Sequence, residues 1–323
     1  MSCDLLSYGV IGPLFERARE RQGGPLSLKA ARMLNDALGS GGAVLIATGL
    51  ILPGQYPHGE TDGPLGAVIL ARAVAFGLKT PVVLACEEEL MPLMAALARR
   101  AGLQMVAPAA LAAGAGRRAA AAIVPISRDA DEAAANCAAW IKDLDLRALV
   151  SVERNGRNAE GLYCMVNGTD LTDGIGKGAE LFAAFQRAGL PTIGIGDRGN
   201  ELGFGPVTDI VADILPKGAL AADATPSSLA LPASVSNWGC YGVAACLAGL
   251  LDEPELLHSA ELERALAETA IANGGIDGMS GRAELATDGM GVEVSAAVAT
   301  MLAEAWRALC VRNPSPFSTP LIR

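Results

Sequence analysis

Short apolar runs, mostly aliphatic, recur along the first two thirds of the chain and alternate with segments of helical periodicity. Each run is apolar on both faces and is bounded by turn residues, which is typical of a buried parallel strand. The runs predict strands over 43–48, 81–85, 122–126, 148–152 and 191–195. The intervening segments predict helices over 65–78, 87–101, 129–144 and 178–188. Alternation at this spacing predicts an α/β, Rossmann-like fold, a doubly wound, mostly parallel sheet with helices on both faces.

The last third of the chain has a different pattern, in which helices dominate. Its apolar periodicity predicts helices over 236–251, 259–272 and 292–311. We therefore expect a single α/β domain over 1–323 that has four parts. They are an N-terminal helical segment (1–42), a parallel-sheet core (43–235), a mainly helical part (236–312) and an extended tail (313–323). Prolines keep the tail extended, so it either lies on a neighbouring subunit of a homo-oligomer, the assembly we expect, or frays.

Composition narrows the class of protein. The chain has 323 residues, 51% of them hydrophobic, and a formal net charge of −10. It has no basic run with interleaved aromatic residues, which argues against a nucleic-acid partner. No apolar stretch reaches the ~20 residues that a membrane span needs, and the first residues lack the basic and apolar regions of a secretory signal. The seven cysteines include no CxxC pair, so we expect reduced thiols in a cytoplasmic protein.

A glycine-rich segment after the fifth predicted strand matches the dinucleotide-binding pattern at Gly194-x-Gly196-x-x-Gly199. That pattern should open a helix, but two more glycines and Pro206 follow it. Asp197 and Glu201 also bring negative charge to the place of a pyrophosphate. A nucleotide-binding enzyme therefore stays an alternative and not the preferred interpretation.

The same segment, Gly196-Asp-Arg-Gly-Asn-Glu201, resembles the metal-binding loop of haloacid-dehalogenase phosphatases. Those enzymes need an aspartate nucleophile directly after a strand, and the nearest candidate, Glu60-Thr-Asp62, begins with glutamate and follows no strand. A Mg²⁺-dependent phosphatase-like enzyme is a second alternative. Only two histidines occur: His58 lies beside these acids and is a candidate ligand-binding residue, and we expect His258, between helices, on the surface.

Three polar, glycine-containing segments follow predicted strands, over 48–63, 153–163 and 192–205. In an open parallel sheet, ligands bind at the carboxyl ends of the strands, so the three segments should meet at one crevice. Charged residues buried together there are costly unless they are paired or bound to a ligand. The crevice would include Glu153, whereas Arg157, Arg198 and Glu160 are better explained by salt bridges and turns.

Three ordered motifs together resemble one family. They are Glu60-Thr-Asp-Gly-Pro64, Glu153-Arg-Asn-Gly-Arg-Asn158 with Gly161-x-Tyr163, and Ile193-Gly-Ile-Gly-Asp197 with Gly199-Asn-Glu201. The family is that of D-glutamate cyclase, specifically the C-terminal domain of the mitochondrial protein and its stand-alone bacterial relatives. The resemblance implies conversion of D-glutamate to 5-oxo-D-proline and water. The animal protein also has an N-terminal hydro-lyase-like domain, so another substrate, or amino-acid binding without catalysis, stays open.

That reaction sets chemical requirements for the crevice. The amine attacks the side-chain carboxyl, so it needs a base, for which Asp197 or Glu201 is suited. The departing oxygen needs a protonated acid, for which Glu60 or Asp62 is suited. Three side chains are predicted to hold the attacked carboxyl: Arg154, Asn158 and Asn200. The rest of the predicted substrate-binding set is Thr48, Gly49, His58, Tyr163, Gly196, Gly199 and Asn237.

A divalent cation such as Mg²⁺ is an alternative way to polarise the carboxyl. The predicted ligands are Asp62, Asp197 and Glu201, because hard cations prefer carboxylate oxygens. The sequence leaves the choice between acid and metal open. The expected partner is in either case a small acidic amino acid.

Overall fold

Seven parallel strands form one sheet in the computed structural model, which describes residues 9–52, 54–114 and 119–310. The strands are β1 (Ala43–Thr48), β2 (Val82–Cys86), β3 (Gln104–Met105), β4 (Ala120–Pro125), β5 (Leu146–Val152), β6 (Thr192–Gly196) and β7 (Leu229–Pro232). Their order across the sheet is β3-β4-β2-β1-β5-β6-β7, and every neighbouring pair is parallel. All five strands predicted from the apolar runs are present within about two residues of their predicted ends.

The helices are α1 (Ile11–Gln22), α2 (Leu26–Leu38), α3 (Pro64–Gly77), α4 (Met91–Arg100), α5 (Pro108–Ala112), α6 (Ala130–Asp143), α7 (Gly178–Arg187), α8 (Thr208–Ile214), α9 (Gly218–Ala221), α10 (Ser236–Leu251), α11 (Ala260–Ala272) and α12 (Val292–Cys310). The predicted helix over 87–101 begins as a 3₁₀ turn at Glu88–Leu90, and α4 follows with Pro92 in its first turn, where a proline is tolerated. A two-stranded antiparallel hairpin of β8 (Ala286–Thr287) and β9 (Met290–Gly291) precedes α12. The C-terminal part is therefore mainly helical, as predicted.

Alternate residues of β1 belong to two different hydrophobic clusters. Val44 and Ile46 pack in the cluster that includes α2, α3 and α10, whereas Leu45 packs in the cluster that includes α6 and α7. Side chains of a strand point alternately to the two faces of its sheet. Helices therefore cover both faces, and the prediction of a doubly wound α/β fold is confirmed.

The order in which the chain adds strands to the sheet reverses at β1. The chain runs from β1 to β2 on one side, and β5 returns to pair with the other side of β1. This is the topological switch point of a doubly wound sheet, where the loops that leave neighbouring strands separate and open a crevice. The loops after β1 and β5 flank it, and the loop after β6 lies next to them.

His258 departs from its predicted surface position, because it is only 5% exposed. Its Nε2 lies 2.7 Å from the Glu263 carboxylate, which also accepts a 2.6 Å hydrogen bond from the Tyr241 hydroxyl. The His258 ring packs against the Tyr241 ring, with centroids 4.4 Å apart. The short segment between α10 and α11 thus places the histidine between the helices. Its position between two predicted helices in the sequence did not indicate this burial.

The structure also describes features behind the predictions made from composition, namely the apolar helices and the cysteines. Among the described residues, no helix combines the length and apolar character needed to cross a bilayer. The five cysteines whose side chains are described are all free thiols: Cys86, Cys137, Cys164, Cys240 and Cys246. The predicted tail, 313–323, lies outside the described residues, and the homo-oligomer stays a prediction.

Candidate functional site

A small cavity of about 90 Å³ lies at the carboxyl ends of β1, β5 and β6. The three segments predicted from the sequence contribute to its wall, and a fourth segment, 277–289, joins them. Its polar lining consists of Tyr56, Glu60, Glu153, Asn155, Asp197, Arg198, Asn200, Glu201 and Asp288. Five of these residues carry carboxyl groups and Arg198 is the only cation among them. The crevice is therefore strongly acidic.

Glu153, Asp197 and Glu201 form the tightest part of the acidic lining. One carboxylate oxygen from each lies within 4.8 Å of one from each of the others. Glu153 directly follows β5 and Asp197 directly follows β6, so the parallel pairing of these strands brings the two acids together. Glu201 is held by the Gly199 amide, which donates to its Oε2 at 2.6 Å, and it is hydrogen-bonded to the Asp197 carboxyl.

Burial and mutual repulsion control the charge state of these acids. Burial, then the charges of Asp197 and Glu201, raises the pKa of Glu153 well above its usual range. Burial, then the charge of Asp197, raises the pKa of Glu201 in the same way. The neighbouring Arg198 guanidinium, whose Nε lies 3.3 Å from Asp197 Oδ2, offsets only part of the rise at Asp197. One arginine does not neutralise the cluster.

Glu60 and Asp288 complete the acidic lining from the other two segments. Glu60 lies beside Ile276 in a short parallel bridge, and the carboxyl packs against Gly278, where a Cβ atom would collide with Oε2. Asp288 has a left-handed backbone (φ 53°) and a buried Oδ2 without a hydrogen-bond partner in the described structure. Burial and the neighbouring negative charges raise the pKa of both carboxyls well above their usual ranges.

Asp62 does not line the cavity, and its carboxylate oxygens accept hydrogen bonds from backbone amides. Its Oδ1 accepts from the amides of Gly63 and Asn237, and its Oδ2 accepts from the Ser236 amide, each at 3.0 Å. Burial, followed by the charge of Asp197, raises the pKa of Asp62 to about 7. The structure therefore assigns Asp62 to capping of α10, and groups Glu153 instead of Asp62 with Asp197 and Glu201.

Arg154 does not reach the crevice, although the sequence suggested that it holds the attacked carboxyl. The side chain is fully buried and makes a bidentate salt bridge with Glu87, at 2.6 and 2.9 Å. It also donates to the carbonyl oxygens of Gly49 and Gly176. Burial alone would raise the pKa of Glu87, but the Arg154 charge outweighs it and the pKa is lowered. Arg154 therefore links the start of the β5 loop to the β1 loop and, through Glu87, to the end of β2.

The structure separates several other predicted residues from the cavity. Asn158 organises its own loop, accepting from the amides of Glu160 and Leu162 through Oδ1 and donating to the Leu220 carbonyl. The Tyr163 hydroxyl accepts from the Ala179 amide at the start of α7. His58 is exposed and packs against Gly274.

The remaining predicted residues support the crevice from within. Thr48 and Gly49 lie at the end of β1, where their carbonyl oxygens accept from Arg154. Asn237 binds the start of α3. Gly196 leaves room for the Glu201 side chain, because a Cβ there would collide with its carboxyl, and Gly199 takes a left-handed φ of 92° that suits glycine. Asn200 alone of this predicted binding set lines the cavity.

Four polar lining residues were outside the predicted set: Tyr56, Asn155, Arg198 and Asp288. In a sequence, an Asp-Gly pair such as Asp288-Gly289 is explained by turn geometry alone, and Arg198 was expected to form a salt bridge. For Arg198 the salt bridge is real, but its partner is the site residue Asp197. No sequence pattern indicates that segment 277–289 folds back over the β1 loop, where the Thr61 amide donates to the Ile276 carbonyl and the Thr61 hydroxyl to that of Ala286.

The fold and the crevice together define a doubly wound α/β protein with an acidic crevice, a candidate ligand site, at its switch point. The comparisons with known proteins name the family. A model of the family described as D-glutamate cyclase-like, C-terminal, matches residues 17–303, and the chain belongs to this family.

The relatives differ in how much of them this chain covers. Human mitochondrial D-glutamate cyclase is 36% identical over 100 residues, which are 31% of this chain and only 16% of the human protein. A crystal structure of a variant actinorhodin polyketide ketoreductase with NADPH covers 83% of this chain and 91% of its own. Its identity is 14% and its TM-score is 0.31.

Proposed function

We propose that the chain is a hydro-lyase that converts D-glutamate to 5-oxo-D-proline and water in the acidic crevice. The observation that carries the proposal is the convergence of the family's motif segments on one cavity lined by carboxyls, a single arginine and a tyrosine. An amino acid brings an ammonium group for the carboxyls and carboxylates for the arginine. Family membership supports the reaction, and the crevice supplies groups for each of its steps.

The amine must lose a proton before it attacks, and we assign this role to Asp288. Its Oδ2 has no partner in the described structure, whereas Asp197 contacts Arg198 and Glu201 contacts the Gly199 amide. Burial and the neighbouring negative charges raise the pKa of the Asp288 carboxyl, which makes its ionised form a stronger base. Asp288 therefore replaces the bases predicted from the sequence.

Glu60 is the proton donor to the departing oxygen. It lines the cavity, and burial with the charges of Asp62 and Asp197 favours its protonated form. Arg198 replaces Arg154 as the cation that pairs with a substrate carboxylate. Tyr56 keeps its proton because burial and nearby carboxylates raise its pKa, so its hydroxyl serves as a second donor.

The protons balance over the cycle. A C–N bond forms, a C–O bond breaks, nitrogen gives up two protons and the departing oxygen takes up two as water. Carboxyls that pass protons from nitrogen to oxygen therefore end the cycle as they began. Glu60 and Asp288 come from different segments and line one cavity, which suits such a relay.

The cavity argues against the two enzymatic alternatives. Its volume of about 90 Å³ is far below the ~300–1,000 Å³ typical of pockets for drug-sized ligands, so a dinucleotide has no room. No helix begins at Gly199, as the loop runs to a short 3₁₀ turn at Gly205–Val207 before α8. The nucleophile position of the phosphatase pattern is Glu60, and Asp62 caps a helix.

The test is an assay of the purified full chain with D-glutamate and with L-glutamate, in EDTA and in Mg²⁺ or Mn²⁺, with 5-oxo-D-proline separated by chiral chromatography. We expect product from the D-isomer. Glu60→Gln should lower kcat by about 10² or more, and Glu160→Gln, an exposed carboxyl of the β5–α7 segment, should not. Absence of product in every condition would contradict the proposal of a cyclase. A D-glutamate-dependent rise in melting temperature without product would instead establish a binding protein.

A further inference from the structure

Asn200 has a buried polar atom that nothing in the described structure satisfies. The residue is 7% exposed, lines the acidic cavity, and its Oδ1 has no hydrogen-bond partner. The amide orientation is fixed from its other end, because Nδ2 lies 3.5 Å from the Cys164 carbonyl, which can accept but not donate. A rotated amide would set two oxygens against each other. The Asn200 oxygen is therefore the free end of the group, and it requires a donor or a cation.

Each acid of the tight cluster has one oxygen held by the protein. The Ser236 hydroxyl donates to Glu153 Oε2, the Arg198 Nε lies 3.3 Å from Asp197 Oδ2, and the Gly199 amide donates to Glu201 Oε2. In metal sites, ligating carboxylates are oriented by such hydrogen bonds from outside the coordination sphere. The other oxygens of Glu153 and Asp197 can face a ligand, and Glu201 Oε1 has only a long backbone contact, 3.4 Å from the Arg198 amide. The hydrogen bond between Asp197 and Glu201 would give way on cation binding, because metal binding releases the ligand protons.

From this geometry we infer that Glu153, Asp197 and Glu201, with the carbonyl oxygen of Asn200, bind one divalent cation. Two oxygen ligands of one ion, at about 2.0–2.5 Å from it, lie at most ~4–5 Å apart, and the three carboxylate oxygens, which lie within 4.8 Å of one another, meet that limit. The cation satisfies the Asn200 oxygen and offsets the repulsion that Arg198 leaves uncompensated. The described lining of the cavity contains no thiol or imidazole, so Mg²⁺ or Mn²⁺ fits better than Zn²⁺ or Cu²⁺.

The inferred ligand set differs from the one the sequence suggested. Asp62 is replaced by Glu153, because Asp62 does not line the cavity and its oxygens accept three backbone hydrogen bonds at 3.0 Å. The catalytic use of the ion rests on the proposed function: it would polarise the carboxyl that the amine attacks. Binding of the ion does not rest on it and is measured separately.

The experiment titrates the purified full chain with Mn²⁺ and follows the loss of the free-ion signal by electron paramagnetic resonance, with Mg²⁺ as competitor. We expect one displaceable site per chain. Glu153→Gln and Asp197→Asn should each weaken Mn²⁺ binding by about tenfold or more, and Asn200→Ala should weaken it measurably. Glu160→Gln, an exposed acid that lies seven positions after Glu153, is the matched control and should bind as the unmodified chain does.

Two results would overturn the inference: no Mn²⁺ binding by the unmodified chain at millimolar concentration, or unchanged binding by variants that keep their circular dichroism and melting temperature. If Glu153→Gln fails to fold, the Mn²⁺ affinity of Asn200→Ala, which is the smaller change, decides whether the inferred site binds the ion. Mn²⁺ binding without 5-oxo-D-proline would reject the proposed reaction and keep the ion site. Product at full rate in EDTA, without Mn²⁺ binding, would reject the ion site and keep the reaction.

Discussion

Asp62 caps α10, the helix that contains Asn237, and Asn237 in return caps α3, the helix that begins just after Asp62. The Asp62 carboxylate, just before α3, accepts from the amides of Ser236 and Asn237 at the start of α10. The Asn237 side-chain oxygen in turn accepts from Gly63 at 3.0 Å and from Gly66 at 2.6 Å, at the start of α3. Because the β1 loop also carries Glu60, this exchange fixes one wall of the crevice to the two most buried helices.

Replacing Asn237 with alanine should therefore destabilise the protein. Its side chain is fully buried and makes three hydrogen bonds, the third from Nδ2 to the Thr61 carbonyl. We expect the free energy of unfolding in urea to fall by about 1–3 kcal/mol, the cost of leaving buried amides unpaired. Asn273→Ala, which removes one exposed hydrogen bond to Thr269, is the control and should cost less than ~0.5 kcal/mol. Equal effects of the two substitutions would contradict the capping role.

Arg154→Met should be more damaging still, since it leaves the Glu87 carboxylate buried without its partner. Both side chains of the pair are 0% exposed. Removal of one member of a buried ion pair typically costs about 3–5 kcal/mol. Arg147→Met is the control, because its salt bridge with Asp145 is exposed and should contribute less than ~1 kcal/mol. If Arg154→Met kept its stability and lost only affinity for substrate, Arg154 would be a binding residue, as the sequence first suggested.

Stability should decrease as pH rises through neutrality. Burial, opposed only in part by hydrogen bonds from Thr225, Phe204 and Gly203, raises the pKa of Asp223 to about 7, and Asp62 is raised to a similar value. A carboxyl whose folded pKa lies above its unfolded pKa stabilises the fold at low pH and loses that contribution as pH passes the folded pKa. Glu87, whose pKa is lowered, acts only in the acid range.

We therefore expect urea unfolding in EDTA to give a lower free energy at pH 8 than at pH 6, by about 1 kcal/mol for each of Asp62 and Asp223. Asp223→Asn should remove its share of the slope. Asp209→Asn should not, because Arg21 holds the pKa of that exposed carboxyl below its usual value. A flat or rising profile between these pH values would contradict the assignment.

The hydrophobic periodicity and the apolar runs of the sequence were sufficient to predict a doubly wound α/β fold. The strands that are buried on both faces over most of their length, such as β1 and β5, are long and mostly apolar. The two edge strands were missed for a physical reason. Gln104–Met105 has two residues, and Leu229–Pro232 has four and ends in proline, so neither repeats a pattern long enough to recognise.

Strand ends also located the candidate site, because parallel strands deliver their following residues to one edge. Glu153 and Asp197 meet for that reason alone. Which way a long side chain turns is decided by its partners, and Arg154 turns toward Glu87, a residue 67 positions away. The fold-back of segment 277–289 depends on similar long-range hydrogen bonds, so Asp288 entered the cavity unpredicted.

The contact between Gly278 and Glu60 gives a way to displace the proposed proton donor without removing it. A Cβ atom at Gly278 would collide with Glu60 Oε2, the far end of a flexible side chain, so Gly278→Ala should displace the carboxyl with little change in overall packing. We expect kcat for 5-oxo-D-proline formation to fall at least about tenfold, because a small misplacement of a reacting group is costly, while the melting temperature changes little. Gly291→Ala is the matched control: its Cβ would meet open space, so both quantities should stay unchanged. A Gly278→Ala protein with normal kcat would show that the position of Glu60 does not matter to the reaction, and would remove it as the proton donor.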